Sequence, residues 1–233
     1  MKIKSLLVLF LSLTFLGVQA QIDEDDYTTE IIWGLTKNTN SGLLGGGIFK
    51  LARRQKDNVF TTYGIEIVNV KHPKENRYPS PSGTYFTWGK QNFLYSIRGN
   101  YGKEKLLFKK APQQGVQISG LVAAGPTIGV IAPYYILSNG EYEQYDPQKH
   151  QSIGSVQGSG KLFQGLGESN IRLGLNAKAG LSFEFGSFKN NIAGVEIGVS
   201  LEAFPKKVII IPTQDNQAIF TALYFSMYWG TRK

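Results

Sequence analysis

The chain of 233 residues carries 27 glycines, no cysteine and a formal charge of +8. That length holds one domain or one barrel, and the missing cysteine excludes a disulfide framework and thiolate chemistry. The basic balance suits an anionic lipid surface as well as nucleic acid, or simply lysines that solvate loops and turns.

Residues 1–20 read as a cleaved signal peptide. Lys2 and Lys4 give a basic start, 6–18 an apolar core, and Val18-Gln19-Ala20 a small-x-small cleavage site. The core is shorter than the roughly 20 residues of a membrane helix. No cysteine follows the cut, so a lipoprotein anchor is excluded. Residues 21–233 then form the mature domain, and nothing in them approaches the run of about 18 apolar residues that marks a membrane helix.

After an acidic leader around Asp23 to Asp26, strands are expected over 30–36, 42–51 and 59–70. Ile31, Trp33 and Leu35 share one face of the first. In the third, Tyr63, Ile65 and Ile67 lie opposite Thr62, Gly64 and Glu66. A loop with three prolines fills 71–91. The fourth strand alternates Phe93, Tyr95, Ile97, Gly99 and Tyr101 with Ser96, Arg98 and Asn100, and 102–115 is a turn or an extension of the hairpin. The fifth covers 116–130, with a bulge expected at Gly125-Pro126 because proline cannot donate to the ladder. The longest loop, rich in tyrosine and glycine, covers 133–169, and the eighth strand, 217–230, follows a loop at 205–216.

Between them lies the clearest pattern in the chain. Ile171, Leu173, Leu175, Ala177, Ala179, Leu181, Phe183 and Phe185 alternate with Arg172, Gly174, Asn176, Lys178, Gly180, Ser182 and Glu184. After a turn near Phe188 the alternation resumes, with Val195, Ile197, Val199 and Leu201 opposite Glu196, Gly198, Ser200 and Glu202. In a soluble lipocalin-like barrel the apolar face would point inward; in a membrane barrel it faces lipid. Strand length favours the membrane reading, since a tilted membrane strand needs about 9 to 11 residues. The glycine-rich polar face, poor in lysine, also suits a crowded interior. With a periplasmic N-terminus, the alternation of short turns and long outer loops fits at every link except the first, which is too short, and the fourth, which is too long.

A signal peptide, eight alternating strands and a last strand ending Tyr224-Phe225-Ser226-Met227-Tyr228-Trp229 resemble the small OmpA/OmpX-type outer-membrane β-barrels. The Ile97-Arg98-Gly99-Asn100-Tyr101-Gly102 style resembles outer-membrane barrel proteins of Bacteroidota. In the larger family an aromatic residue commonly ends the final strand and is recognised during assembly; here Gly230-Thr231-Arg232-Lys233 follow Trp229. The resemblance implies an all-β fold: an eight-stranded antiparallel up-and-down transmembrane barrel in the bacterial outer membrane. Its partners would be outer-membrane lipid, lipopolysaccharide and, through the outer loops, an envelope protein, with no nucleic acid.

In such a barrel Glu66, Arg98, Arg172, Lys178, Glu184, Glu196 and Glu202 face inward, where charges must pair to offset their desolvation. A plugged, charge-paired core is expected rather than an ion pathway. Trp33, Tyr101, Tyr134, Tyr135 and Trp229 are candidates for the interfacial aromatic girdle.

Enzymatic alternatives rest on loop histidines. Some outer-membrane lipid A deacylases and palmitoyltransferases use a histidine with a serine or an acid near the outer rim. His72 could meet Ser80 or Ser82, and His150 could meet Asp146 or Ser152, but no spacing motif and no Gly-x-Ser-x-Gly elbow supports either. Solvated loop histidines are the simpler reading. Glu141, Glu143 and Asp146 lack the spacing of a calcium loop and read as a solvated turn. Gly158-Ser159-Gly160 has no strand–helix context for phosphate. No catalytic residue, cofactor or metal is assigned. The role read from the sequence is structural, adhesive or within an envelope complex, with a lipid-modifying enzyme and a soluble lipocalin-like binder as alternatives.

Overall fold

The structure is a computed structural model that describes residues 27–109, 115–161, 164–185 and 191–233. The signal segment and the turn near Phe188 lie outside the described residues. Eight antiparallel strands close on themselves. They are β1 (Thr29–Asn38), β2 (Ser41–Lys56), β3 (Val59–Val70), β4 (Asn92–Phe108), β5 (Gln117–Pro133), β6 (Asn170–Phe185), β7 (Asn191–Ala203) and β8 (Ile219–Arg232). Each pairs with its neighbours in sequence. β8 returns to β1, from Glu30 opposite Arg232 to Asn38 opposite Tyr224. Closure leaves no strand edge in the ring, which is the condition for a sheet to cross lipid.

The orientation of the faces decides between the two readings of the alternation. Ile171 is 72% exposed and Leu175 68%, whereas Glu196 and Glu202 are 2% and 1% exposed. The apolar residues point out and the charges point in, the reverse of a soluble lipocalin-like barrel. A belt of Leu35, Ile65, Ile67, Leu173, Val199, Leu223 and Phe225 surrounds the ring. From Ile171 to Phe185 the outward row runs roughly 46 Å along β6, or about 35 Å of height at a tilt near 40°, which exceeds the ~25 Å apolar band of membrane barrels.

The strands run up and down, so both described termini lie at one end with the short links, and the long connections gather at the other. β4 continues to Phe108, so the hairpin extension is the reading that holds, and the link to β5 shortens to 109–116. The link between β1 and β2 is only Thr39-Asn40, and it stays the exception to the alternation. At the two-residue turn between β2 and β3, Asn58 takes φ +62°, a left-handed conformation that asparagine tolerates better than most residues.

The bulge expected at Gly125-Pro126 is absent. The β4–β5 register is the same on both sides, with Arg98 opposite Thr127 and Tyr101 opposite Ala124. The ladder keeps step because a side chain replaces the missing donor. Asn176, buried on β6, brings its amide nitrogen within 3.0–3.1 Å of the carbonyls of Gly99, Gly125 and Pro126 and of the Thr127 hydroxyl.

The long loops carry structure of their own. Arg77–Pro79 pairs with Tyr85–Thr87. Tyr135–Ser138 pairs with Glu141–Gln144 across Asn139-Gly140, whose φ values of 50° and 81° suit a tight hairpin turn, and also with Gly158–Ser159. Phe86, Tyr134, Ile136, Tyr145 and Val156 form the apolar core of this cap.

Candidate functional site

The interior is filled in layers. At the loop end, Val208 and Ile210 from the 204–218 connection drop into the barrel mouth. They pack with Val68, Val70, Leu94, Ile131, Phe204 and Phe220. The buried Asn216 holds this segment, accepting from the amides of Ile210 and Ile211 at 2.8 and 3.2 Å.

Below the plug lies a chain of alternating charges. Arg98 donates to Glu202 through Nε and Nη2 at 3.0 and 2.5 Å and to Glu66 through Nη1 at 3.1 Å. Lys178 Nζ stands 3.8 Å from Glu66 and 3.0 Å from Glu196. Lys50 Nζ stands 3.3 Å from Glu196 and 2.9 Å from Glu104. The Tyr224 hydroxyl donates to Glu196 at 2.9 Å. The sequence of contacts is Glu202–Arg98–Glu66–Lys178–Glu196–Lys50–Glu104, with every cation set between two carboxylates. The space left beside Lys50, Glu66, Lys178 and Glu196 is about 20 Å³, close to the volume one water needs.

A second group closes the turn end. Arg232 binds Glu30 through Nε at 2.8 Å and Glu184 through Nη2. The Tyr27 ring lies 4.1 Å from the Arg232 guanidinium and stacks on Phe60 at 5.5 Å. Between the two groups sit Ile32, Ile192 and Tyr228. Inward glycines make room for the aromatic rings: a Cβ on Gly198 would fall 2.8 Å from Tyr224 Cε1, and one on Gly194 would fall 2.6 Å from Tyr228 Cζ.

Six of the seven charges placed inside by the alternation stand in these two groups. Arg172 does not. It has the inward parity but lies at the mouth, where its guanidinium donates to the carbonyls of Lys206 and Lys207 at 3.3 and 2.7 Å. Lys178 and Glu196 meet although Lys178 lies opposite Ser200 in the register, because the length of the lysine chain spans the offset. Lys50, Glu104, Glu30 and Arg232 were missing from the sequence reading. Glu30 and Lys50 share parity with inward neighbours and were legible in principle. Glu104 and Arg232 fall beyond the expected ends of their strands.

Among the girdle candidates, Trp33 and Trp229 pair on the outer face at 5.6 Å, and Tyr101 meets Tyr63 at 5.4 Å. Tyr134 is a correction. It is 5% exposed, inside the cap core, and its hydroxyl accepts from the Thr87 amide at 3.0 Å. Tyr135 is half-buried in the same cap, and its hydroxyl donates to Glu168 at 2.8 Å.

The histidines are a second correction, because neither is solvated. His72 is 5% exposed, with Nδ1 accepting from the Lys74 amide and Nε2 donating to the Asp215 carbonyl. His150 is 3% exposed and stacks on Tyr145 at 5.4 Å. Its Nδ1 accepts from the Asp146 amide and its Nε2 donates to Glu143 at 3.2 Å. Ser80, Ser82 and Thr84 bond one another through their hydroxyls at 2.9–3.0 Å. With both nitrogens of each ring engaged this way, neither histidine is placed to take a proton from a serine. Asp146 accepts from the Gln148 amide, and no three acidic or histidine side chains converge on a metal position among the described residues.

No family model and no curated protein matches the chain. Among solved structures, the N-terminal β-barrel domain of Pseudomonas aeruginosa OprF is 10% identical, covering 89% of this chain and 98% of its own, with a TM-score of 0.37. Ail, the attachment invasion locus protein of Yersinia pestis, is 11% identical over 89% of this chain and 99% of its own, with a TM-score of 0.38. Neisserial surface protein A is 12% identical over 88% and 95%, with a TM-score of 0.36.

Proposed function

We propose that the chain is an exported outer-membrane barrel that does not conduct and that acts through its outer loop cap, as an adhesive or envelope-organising surface. The observation that supports this most directly is the filling of the interior. An apolar plug fills the mouth, an alternating chain of ion pairs fills the middle, and the space beside Lys50, Lys178 and Glu196 is about 20 Å³. A hydrated ion needs a continuous wet path, and each buried charge here is already held by a partner. The apolar belt supports membrane residence. A cap built of paired strands with its own core supports a fixed outer surface rather than loose loops.

The test is conductance in a planar lipid bilayer, alongside fractionation of cells making the full chain. The expected result is a membrane-fraction protein whose gel mobility shifts on boiling and which shows no stepwise conductance. Sustained unitary openings would overturn the closed-interior reading, and a freely soluble chain would overturn the membrane one.

A further inference from the structure

One cleft of the cap is built differently from the rest of the surface. It measures about 450 Å³ and lies between the outer wall of the barrel and the loops. Its floor is the top of the outward face of β3 and β4, with Asn69 directly opposite Tyr95 in the register. One outward step below these are Ile67 and Ile97, which belong to the lipid belt. The cleft therefore opens at the upper edge of the apolar band and not into the lumen. At that height a membrane presents headgroups.

The walls suit a sugar that carries phosphate. Phe93 and Tyr95 stack at 5.6 Å, and Tyr85, 65% exposed, stands across from them on the Tyr85–Thr87 strand. Flat aromatic faces with a polar tip pack against sugar rings while leaving hydroxyls free to bond. Arg77 and Lys161 also line the cleft, and among the described residues no carboxylate does. The nearest acid by contact is Glu168, which is held by the Tyr135 hydroxyl at the edge. Glu75 lies on the other side of this rim, held by Lys90 at 2.9 Å. Lys161 Nζ rests over the Tyr142 ring at 5.5 Å, at the edge of the cleft; two cations on one lining favour an anion, and an arginine fork matches phosphate geometry in two-point contact.

We propose that this cleft takes the phosphorylated sugar headgroup of an outer-leaflet glycolipid, with phosphate on Arg77 and Lys161 and a sugar ring against Tyr85 and Tyr95. The proposal rests on the membrane placement given above. It makes the cap a clamp on the surrounding leaflet as well as a surface turned outward.

The test uses the full mature chain inserted in phosphatidylcholine nanodiscs, titrated calorimetrically with a deacylated glucosamine disaccharide bisphosphate, then with inorganic phosphate. Binding of the disaccharide is expected. Arg77→Ala should weaken it about tenfold, as for loss of one charge-assisted contact, and Arg77→Ala with Lys161→Ala more. Lys149→Ala, in the same long loop but outside the cleft, should change nothing. Equal losses in Arg77→Ala and Lys149→Ala would show general charge attraction and overturn the proposal. Inorganic phosphate binding as tightly as the disaccharide would do the same, because the aromatic walls would then contribute nothing. A second titration, with the bisphosphorylated glycolipid built into the nanodisc, identifies the source: it should occupy the site and abolish binding of the free disaccharide. Undiminished binding of the free sugar would overturn the lipid assignment. A chain that stays outside the bilayer fails the membrane reading, whereas one that inserts and binds neither probe fails only this proposal.

Discussion

The alternating charge chain makes an ordered prediction. In Arg98→Met the cation between Glu66 and Glu202 is lost. Glu66 keeps Lys178 at 3.8 Å, but Glu202, 1% exposed, is left with no cation in contact among the described residues. Breaking a buried pair so that one charge stands alone costs about 3–5 kcal/mol. In Lys178→Met neither acid is orphaned: Glu66 keeps Arg98 at 3.1 Å and Glu196 keeps Lys50 at 3.3 Å. The cost there is that of the lost charge-assisted contacts, about 1.5–3 kcal/mol. Adding Glu202→Leu to Arg98→Met removes the stranded carboxylate and should recover part of the loss, since apolar replacement of a buried pair is often neutral. The assay is reversible urea unfolding in lipid vesicles, followed by fluorescence of the three tryptophans, Trp33, Trp88 and Trp229, and checked by gel mobility. The expected order is Arg98→Met least stable, with Lys178→Met and the double variant both above it. Lys178→Met as damaging as Arg98→Met, or a double variant no better than the single, would refute a linear chain with Glu202 at its end. It would point instead to an interior wet enough to solvate a free carboxylate.

Other positions give separate tests. Asn176→Leu strips the donor from the carbonyls around Pro126 and should cost about 1–3 kcal/mol in the same unfolding assay; Pro126→Ala in that background should restore part of it by returning a backbone donor opposite Gly99. Ile210→Ala opens the mouth plug and should cost about 2–5 kcal/mol, with a lower boiling threshold for the gel shift. Gly198→Val sets a branched side chain against Tyr224 and the β6 backbone, and should reduce the yield of heat-modifiable protein while Ser200→Ala, on the same face, leaves it unchanged. In the cap, burial holds the Lys90 ammonium below its ordinary range although Glu75 at 2.9 Å opposes this. The folded cap thus releases that proton at lower pH than the unfolded one, so Lys90 contributes a stability gain as pH rises through its folded value that levels off near the ordinary lysine value of about 10.4. Burial raises Tyr134, so above its ordinary value, near 10, the opposite trend begins. Amide exchange in 86–94 should show that rise, and Lys90→Met should abolish it.

The ring was legible because each membrane strand repeats one message over many residues. Period-two alternation fixes strand, face and hairpin together, so eight strands and their inward sets emerge without tertiary information. The ends were less legible. Lys103 and Lys105 interrupt the outward apolar row of β4 where it leaves the belt, so Glu104 looked like part of a basic turn. Arg232 lies past the strand end expected at Gly230, although its partner Glu30 lies directly opposite in the register that closes the ring. Strand pairing across 202 residues of sequence cannot be read from a local period. The cap was harder still. Asn139-Gly140 between short apolar runs is a hairpin signal in its own right, but the burial of His72, His150 and Tyr134 depends on loops that meet only after the barrel has fixed their ends.

The two halves of the molecule use opposite solutions to one constraint. In the ring, lipid outside accepts apolar side chains at no cost, so the interior has no hydrophobic incentive of its own and must be held by pairing. Ionic alternation supplies that, and it also supplies register, since sliding β7 by two residues would carry Glu196 and Glu202 away from Lys178 and Arg98 while leaving the outer face equally apolar. The cap stands in water, so it returns to an apolar core of Phe86, Tyr134, Ile136 and Tyr145 with polar groups outside. The Val208–Ile210 segment lies where these two regimes meet, and it is apolar on the inside of the barrel although the layers beneath it are charged. That inversion makes sense if its task is exclusion: an apolar seal between water above and ion pairs below keeps the pairs dry, and dry pairs are the condition under which the ordering of Arg98→Met and Lys178→Met holds.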